Sequence, residues 1–481
     1  MNYRLIIRMI GRILQIEAIF MIPALLIAMF SGESAAVSGI GMSMLLCLIT
    51  GTSIGMIESK NSRFYAREGF VTVGLAWLVV SLAGALPFYI SGAIPSFVDS
   101  FFETVSGFTT TGASILTDVE ALPNGLLYWR SFTHWLGGMG VLVFALAITP
   151  RSGDSSHSML YLKAESPGPK ISKLVPKTRR SAGILYAIYV VLTVLQFVLL
   201  LFDGMPALDA ITLAFGTAGT GGFAIRNTSV AAYSHYAQTV VTVFMILFGV
   251  NFSVYYMLLV RMFRRAARDE ELRVYLLIVV CATLIIAANI YSELGSVYES
   301  IHQSAFQVAS IITTTGFATV DFDKWPEVAR YILLLLMVCG ACAGSTGGGI
   351  KVSRVIMLFK KAKHSVYQMM HPDSVHVMHI SGERVDDDVI RNVDTFMTVY
   401  IIIGALTVLF LSLDGFSFET NFSAMLACLN NIGPGLGVVG PAGNFSQYSD
   451  FNKILLSANM LIGRLEIFPF LALFTPAIWK K

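Results

Sequence analysis

Phe108-Thr109-Thr110-Thr111-Gly112-Ala113 closes a short apolar segment and leads toward a long one, and the chain repeats this arrangement three more times. The other copies read Thr217-Ala218-Gly219-Thr220-Gly221-Gly222, Ile312-Thr313-Thr314-Thr315-Gly316-Phe317 and Leu429-Asn430-Asn431-Ile432-Gly433-Pro434. Their glycines recur roughly every hundred residues, the mark of four fused copies of one unit that can close a ring. Four stretches of Thr- and Gly-rich backbone around one axis at membrane depth would form a cation filter.

Composition places that ring in a bilayer. Apolar residues make up 55% of the chain and charged residues only 13%, against about 25% charged in a soluble domain, so most of the surface must face something other than water. Eight stretches carry no Asp, Glu, Lys or Arg: Ser34–Ile57, Phe70–Val98, Ser131–Pro150, Ser181–Phe202, Asn227–Val260, Val274–Ser292, Tyr331–Ile350 and Thr395–Leu413. Each is long enough for the ~17–25 residues of a membrane helix. Arg12–Phe30 and Phe451–Trp479 are read as spans too, although the first contains Glu17 and the second Lys453, Arg464 and Glu466. The first segment has basic residues ahead of an apolar run but no small-residue cleavage site, and is read as part of the mature chain. The five cysteines lie in apolar stretches and are expected to be buried small hydrophobes rather than a disulfide framework or metal site.

Lys and Arg cluster at the N-terminus, in 60–67, 151–180, 261–273 and 351–391, and at Lys480 and Lys481, while the four Gly loops are poor in both. The positive-inside rule makes those clusters cytoplasmic and brings the loops in from the outer face. Ten crossings with both termini inside satisfy that pattern. The basic runs read as solvated cytoplasmic flanks rather than a nucleic-acid or lipid patch.

The expected fold is an all-α polytopic membrane protein of four tandem repeats around one pseudo-four-fold pore, behind an N-terminal hairpin. Each repeat is an outer helix, a short re-entrant helix, a Gly loop and a second helix, at 68–90, 97–108, 109–114 and 126–150 in the first copy. The divisions are 1–62 for the hairpin, then 63–165, 166–266, 267–385 and 386–481, with loops at 109–114, 218–223, 313–318 and 430–435. Segments too short to span are tolerated at that depth where they line a cavity or are buried in protein.

The candidate filter residues are Thr110, Thr111, Gly112; Gly219, Thr220, Gly221; Thr314, Thr315, Gly316; and Asn431, Ile432, Gly433. Carbonyls replace the water of an alkali cation when consecutive residues aim them inward, which calls for Gly where the backbone is left-handed. Re-entrant helices add the negative ends of their dipoles. The loops hold no carboxylate, which argues against a calcium site; Glu103 and Asp209, one to three turns earlier, are read as bracing or cation-attracting groups. One aligned Gly per copy and an Asn-rich fourth loop predict K⁺ coordinated at fewer positions than in a strict K⁺ channel, with looser rejection of Rb⁺ or Na⁺.

Below the third loop, five glycines fall within Gly340–Gly349. Each costs about 1 kcal/mol relative to Ala in a helix, so the helix should break at 340–351. Gly344, Ser345, Thr346, Gly347, Gly348, Gly349 and Lys351 are the candidate gate, with Lys351 expected to snorkel toward the cytoplasmic interface. A phosphate loop is rejected because Ile350 occupies the Lys position and no strand precedes it. Arg464, expected near the middle of the last helix with Glu466 on a different face, completes the gate: a guanidinium below the filter raises the barrier to cations and can donate to carbonyls of the broken helix. The alternative is a structural salt bridge to another helix.

With Trp129-Arg130-Ser131-Phe132-Thr133-His134-Trp135-Leu136-Gly137-Gly138-Met139-Gly140 and Gly463-Arg464-Leu465-Glu466, the loops and the break resemble the Trk/Ktr/HKT superfamily of potassium transporters over essentially the whole chain. The extra hairpin and the length resemble its bacterial TrkH branch. The resemblance implies K⁺ uptake across a bacterial inner membrane by a homodimer with one pore per protomer. It also implies no cofactor in this chain, and a cytosolic TrkA-type regulator, carrying NAD or ATP/ADP, that acts through the break and Arg464. The stretches 151–180 and 360–391 are then docking surfaces, membrane lipid is the remaining partner, and no nucleic acid is expected. Arg130 and His134 are assigned to packing rather than to an outer vestibule. A symporter obligatorily coupled to H⁺ or Na⁺ is the alternative; a membrane enzyme finds no His/Cys/Asp/Glu cluster in the spans.

Overall fold

A computed structural model describes residues 1–57, 66–138, 140, 179–372 and 377–479. Most of the 151–180 stretch, the lower half of the first copy's second helix, and Lys480 and Lys481 lie outside the described residues. Among the described residues the regular structure is helical apart from a two-stranded antiparallel pairing of His379–Ile380 with Glu383–Arg384 on the connection after the break.

The N-terminal hairpin consists of Tyr3–Phe20, Ile22–Phe30 and Ser34–Gly55. Its helices meet backbone to backbone. A Cβ on Gly11 would lie 2.7 Å from the Gly51 carbonyl oxygen, and a Cβ on Gly51 would lie 2.7 Å from that of Gly11. Small residues allow such approach in membranes, where dispersion between helices replaces the hydrophobic effect. The hairpin covers the first repeat: its outer helix is 67% buried over its most apolar window, against 22% for Gly183–Phe202.

The repeat unit recurs four times. Outer helices run Ala66–Ile90, Arg179–Phe202, Glu270–Leu294 and Asp387–Leu411. Re-entrant helices run Phe97–Phe108, Ala207–Ala218, Val297–Ile312 and Phe418–Leu429. Ser96, Ser296 and Ser417 cap three of these, each accepting from the N–H three residues on, an interaction typically worth ~1 kcal/mol.

The second helices are interrupted in more copies than the one break expected at 340–351. Among the described residues six helices are long and apolar enough to cross, and the pair His235–Phe248 and Phe252–Leu259, bent by 88°, makes a seventh if it is taken as one broken span. The third copy divides into Glu327–Cys339 and Val352–Met370 around the predicted break. The fourth ends its helix Asp450–Arg464 at Arg464, followed by Glu466 and Ile467 with φ of +52° and +70° before Phe468–Ala472. Arg464 therefore occupies a helix end, not a helix middle. Interruption recurs in the second, third and fourth copies: a Cβ on Gly249 would lie 2.8 Å from Thr313 Cγ2 and one on Gly463 2.1 Å from the Leu429 carbonyl oxygen, both at the loops, while one on Gly340 would lie 2.7 Å from the Gly348 carbonyl oxygen within the break.

Cys47, Cys342 and Cys428 are buried as expected, whereas Cys339 is half-buried and Cys281 is exposed on the apolar outer surface. All five are free thiols.

Gly51→Leu is expected to separate the hairpin helices and lower stability by about 1–3 kcal/mol, the usual cost of overpacking. Thermal unfolding in detergent checks this against Gly41→Leu, a position where an added Cβ meets nothing within 4 Å.

Candidate functional site

The four loops form one closed ring. A Cβ built on Gly112 would lie 2.0 Å from the carbonyl oxygen of Gly221, one on Gly222 would lie 1.9 Å from that of Thr315, and one on Gly316 would lie 2.0 Å from that of Ile432. A Cβ on Gly433 would lie 2.8 Å from the carbonyl oxygen of Thr111, which returns the sequence of contacts to the first copy. Each contact joins the glycine of one copy to the residue just before the glycine of the next.

The backbone repeats with the same period. Thr110, Thr220, Thr314 and Asn431 have φ of +56°, +54°, +58° and +55°, and two residues on, Gly112, Gly222, Gly316 and Gly433 have φ between +80° and +99° or, for Gly222, +77°. Thr111, Gly221, Thr315 and Ile432 each donate a backbone N–H to the carbonyl five residues earlier, at 2.8–2.9 Å. Non-glycine residues in the left-handed region cost of order 1–3 kcal/mol each and persist where surrounding structure holds them. The second copy is thereby registered one residue later than the sequence spacing suggested. Thr220, Gly221 and Gly222 are the counterparts of Thr110, Thr111 and Gly112, and Gly219 is the counterpart of Thr109.

Side chains brace the ring from behind. Thr109 and Thr111 pair through their hydroxyls at 2.8 Å, as Thr313 and Thr315 do at 2.7 Å. Asn431 donates through Nδ2 to Thr111 Oγ1 and to the Met460 carbonyl, both at 2.9 Å, tying the fourth loop to the first. Glu103 is buried and accepts from Ser114 Oγ at 2.9 Å, from the Ile115 N–H at 3.0 Å and from Arg130 Nε at 2.6 Å. Arg130 also donates to the Ala224 carbonyl at 3.0 Å and lies 3.4 Å from the Phe223 ring centre. His134 stacks on the same Phe223 ring, the two ring centres 4.0 Å apart. Arg130 and His134 are thus packed between the first and second copies.

Above the ring opens a cavity of ≈ 240 Å³ lined in part by Gly112, Gly222, Gly316, Gly433 and Arg226. Arg226 reaches Asp209 Oδ2 at 3.4 Å, and the Tyr233 hydroxyl donates to the same oxygen at 2.9 Å. The Tyr233 hydroxyl and the Asp209 carboxylate hold the Arg226 guanidinium above its ordinary value.

The glycine break lies directly against the opposite side of the ring. The Gly348 N–H donates to Thr314 Oγ1 at 2.6 Å. A Cβ on Gly347 would lie 2.8 Å from the Thr313 carbonyl oxygen, and one on Gly348 would lie 2.3 Å from that of Asn430. Arg464 donates to the carbonyls of Thr346 at 2.9 Å and Gly137 at 2.6 Å. Lys351 is buried and donates to the Gly347 carbonyl, so it turns into the break instead of snorkelling: with φ of +82° it starts the helix that continues from there. Gly344 and Ser345 bond to partners outside the four loops. The Gly344 carbonyl accepts from the Phe252 N–H at 3.1 Å, and Ser345 Oγ donates to the Cys342 carbonyl at 2.7 Å.

Three further residues belong to this assembly. Glu271 Oε1 accepts from the N–H of Ala343 at 2.7 Å and of Ser353 at 3.0 Å, holding both sides of the break together. Arg354 pairs with Glu466 and donates to the Ile350 carbonyl at 3.0 Å, which joins the third copy's break to the fourth's. In sequence Glu271 sits in an acidic first turn that reads as a solvated flank, and its partners are 72 and 82 residues away. Arg354, a charge in the otherwise apolar Val352–Phe359, was the available signal.

A family profile, TrkH, described as cation transport protein, matches residues 39–481. The chain is 36% identical to the Trk system potassium uptake protein TrkH of Salmonella typhimurium, over the full length of both. It is 32% identical to the Trk system potassium uptake protein TrkG of Escherichia coli, covering 100% of this chain and 99% of that one. The crystal structure of the potassium transporter TrkH from Vibrio parahaemolyticus superposes with a TM-score of 0.89 at 32% identity, with both chains fully covered.

Gly222→Ala should displace the Thr315 carbonyl and disturb two loops at once, cutting cation flux at least tenfold in reconstituted vesicles. Gly183→Ala, where an added Cβ meets nothing within 4 Å, should leave flux within twofold. Wild-type flux in Gly222→Ala would break the link between ring packing and conduction.

Proposed function

The chain belongs to the TrkH family of cation transport proteins, and from that premise we propose that it takes up K⁺ across a bacterial inner membrane through a channel-like pore. The observation that carries this reading is the closed ring of glycine–carbonyl contacts with the glycine break packed against one side of it. Carbonyls of Thr110, Thr111, Thr220, Gly221, Thr314, Thr315, Asn431 and Ile432 are the ligands proposed to replace water around the ion.

The gate is the break together with Arg464 and Lys351. A side-chain cation resting on a backbone carbonyl at mid-membrane competes with a permeating cation for that oxygen and repels it, and the repulsion is strong because little water screens it. Moving the break carries the Thr346 and Gly347 carbonyls and their bound cations away from the axis. The helix Val352–Met370, continuous with the break, is the proposed lever for a cytosolic TrkA-type regulator carrying NAD or ATP/ADP; the relatives' names refer to a system. The positive-inside rule supports a cytoplasmic location for this helix and for both termini, and the assembly is taken as a homodimer.

Obligatory coupling to H⁺ or Na⁺ is the competing reading. It lacks an acid in the loops, and the carboxylates nearest the ring and the break, Glu103 and Glu271, are both engaged in hydrogen bonds.

Reversal potentials in proteoliposomes separate the two: a reversal that tracks the K⁺ gradient alone supports the channel, and one displaced by a pH or Na⁺ gradient overturns it. In the same vesicles Arg464→Ala should raise K⁺ flux severalfold without partner, and unchanged flux in a well-folded variant would remove Arg464 from the gate. Glu271→Ala leaves the Ala343 and Ser353 N–H groups without their acceptor, at ~1–3 kcal/mol. It should shift the open fraction by about tenfold, read as single-channel open probability.

A further inference from the structure

Two histidines on the side of the bundle from which the re-entrant helices enter have no part in the ring or the break. His235 is the first residue of the second copy's second helix, and His302 lies in the second turn of the third re-entrant helix. Their ring centres are 4.9 Å apart with planes at 56°. His235 is exposed and His302 is half-buried.

The hydrogen bonds around His302 determine which of its nitrogens carries the proton. Gln238 donates through Nε2 to the Tyr233 carbonyl at 3.0 Å, which fixes Oε1 as the amide's free acceptor. That oxygen lies 2.9 Å from His302 Nε2, so Nε2 carries the hydrogen and Nδ1 keeps its lone pair. A metal-ligating imidazole has this same arrangement, its second nitrogen donating to a fixed oxygen that sets tautomer and ring orientation.

The spacing fits a shared ion. With metal–nitrogen bonds of about 2.0–2.1 Å, two imidazoles on one ion place their ring centres roughly 4.5–5.2 Å apart for angles between a right angle and the tetrahedral value. The observed separation of 4.9 Å falls inside that interval. Among the described residues no group of three His, Cys, Asp or Glu is placed to hold a metal, so water completes the coordination. Nitrogen donors of intermediate softness select Zn²⁺ or Cu²⁺ over Mg²⁺ or Ca²⁺.

We propose that His235 and His302 form a two-histidine site for a transition-metal dication, oriented by Gln238, that clamps the second copy to the third re-entrant helix. The test uses the full-length protein purified in detergent. Zn²⁺ titration by calorimetry should show one saturable site per chain that is lost in the His235→Ala/His302→Ala double variant, and each single variant should weaken it at least tenfold. Cu²⁺ at that site should show electron-spin resonance splitting from two nitrogens in the wild type and from one in either single variant. Gln238→Leu should weaken Zn²⁺ about tenfold by releasing the tautomer. Retention of the full stoichiometry in the double variant, or absence of two-nitrogen splitting in the wild type, overturns the site. Unchanged affinity in Gln238→Leu overturns the role given to that residue. K⁺ flux without added metal is expected to be unaltered in all of these variants, which separates failure of this site from failure of the pore.

Discussion

Each ring glycine is placed where its missing side chain would collide with a carbonyl oxygen of the next loop, and the four contacts close on themselves. Gly112, Gly222, Gly316 and Gly433 each have positive φ as well as a neighbour closer than any Cβ allows, so two independent constraints select Gly at each position. The rest of the architecture follows from holding four such backbones together. The re-entrant helices deliver the loops to one depth, the buried Glu103–Arg130 pair fixes the first loop against the second, and Asn431 fixes the fourth against the first. The strained Thr110, Thr220, Thr314 and Asn431 are tolerated because they are held on every side.

The break is built into that same packing. Gly348 meets the ring twice, through a hydrogen bond to Thr314 and through van der Waals approach to the Asn430 carbonyl. A rearrangement of the break therefore alters the support of the third and fourth loops as well as the path below them. Glu271, Arg354, Glu466 and Arg464 attach the break to the outer helix of its own copy, to the fourth copy's interruption and, through the Gly137 carbonyl, to the first copy. The proposed filter and the proposed gate share atoms here, and the distances involved are those of direct contact.

Much of this was legible in the sequence because it is carried by local signals. The four-fold repeat appears in the spacing of Gly loops, the membrane setting in the scarcity of charge, and the third copy's break in its glycine density. What escaped depends on partners distant in sequence. The register of the second loop could not be read from Gly219-Thr220-Gly221-Gly222, where three glycines offer two alignments; it is decided by which one faces the Thr315 carbonyl. Lys351 looked like a snorkelling residue because the carbonyl it reaches is created by the break itself. The interruption after Arg464 had a weak signal in Pro469, while the left-handed Glu466 is held by Arg354, a partner 112 residues away in sequence.

Fusion of the four copies into one chain has a consequence for how sharply the pore can respond. In a ring of four identical subunits a gate appears four times, and opening is a concerted change whose dependence on a signal rises steeply with the number of elements that must move. In the proposed gate, the glycine run Gly340–Gly349 of the third copy is the element that separates the blocked and conducting arrangements. Opening then reduces to one two-state equilibrium, and to carry it from 1:99 to 99:1 a regulator must supply the full differential of about 5.5 kcal/mol at that one element. With the gate proposed here, a graded, non-cooperative response within each pore follows from the covalent joining of its quarters, and any steepness would have to come from the regulator that acts on them.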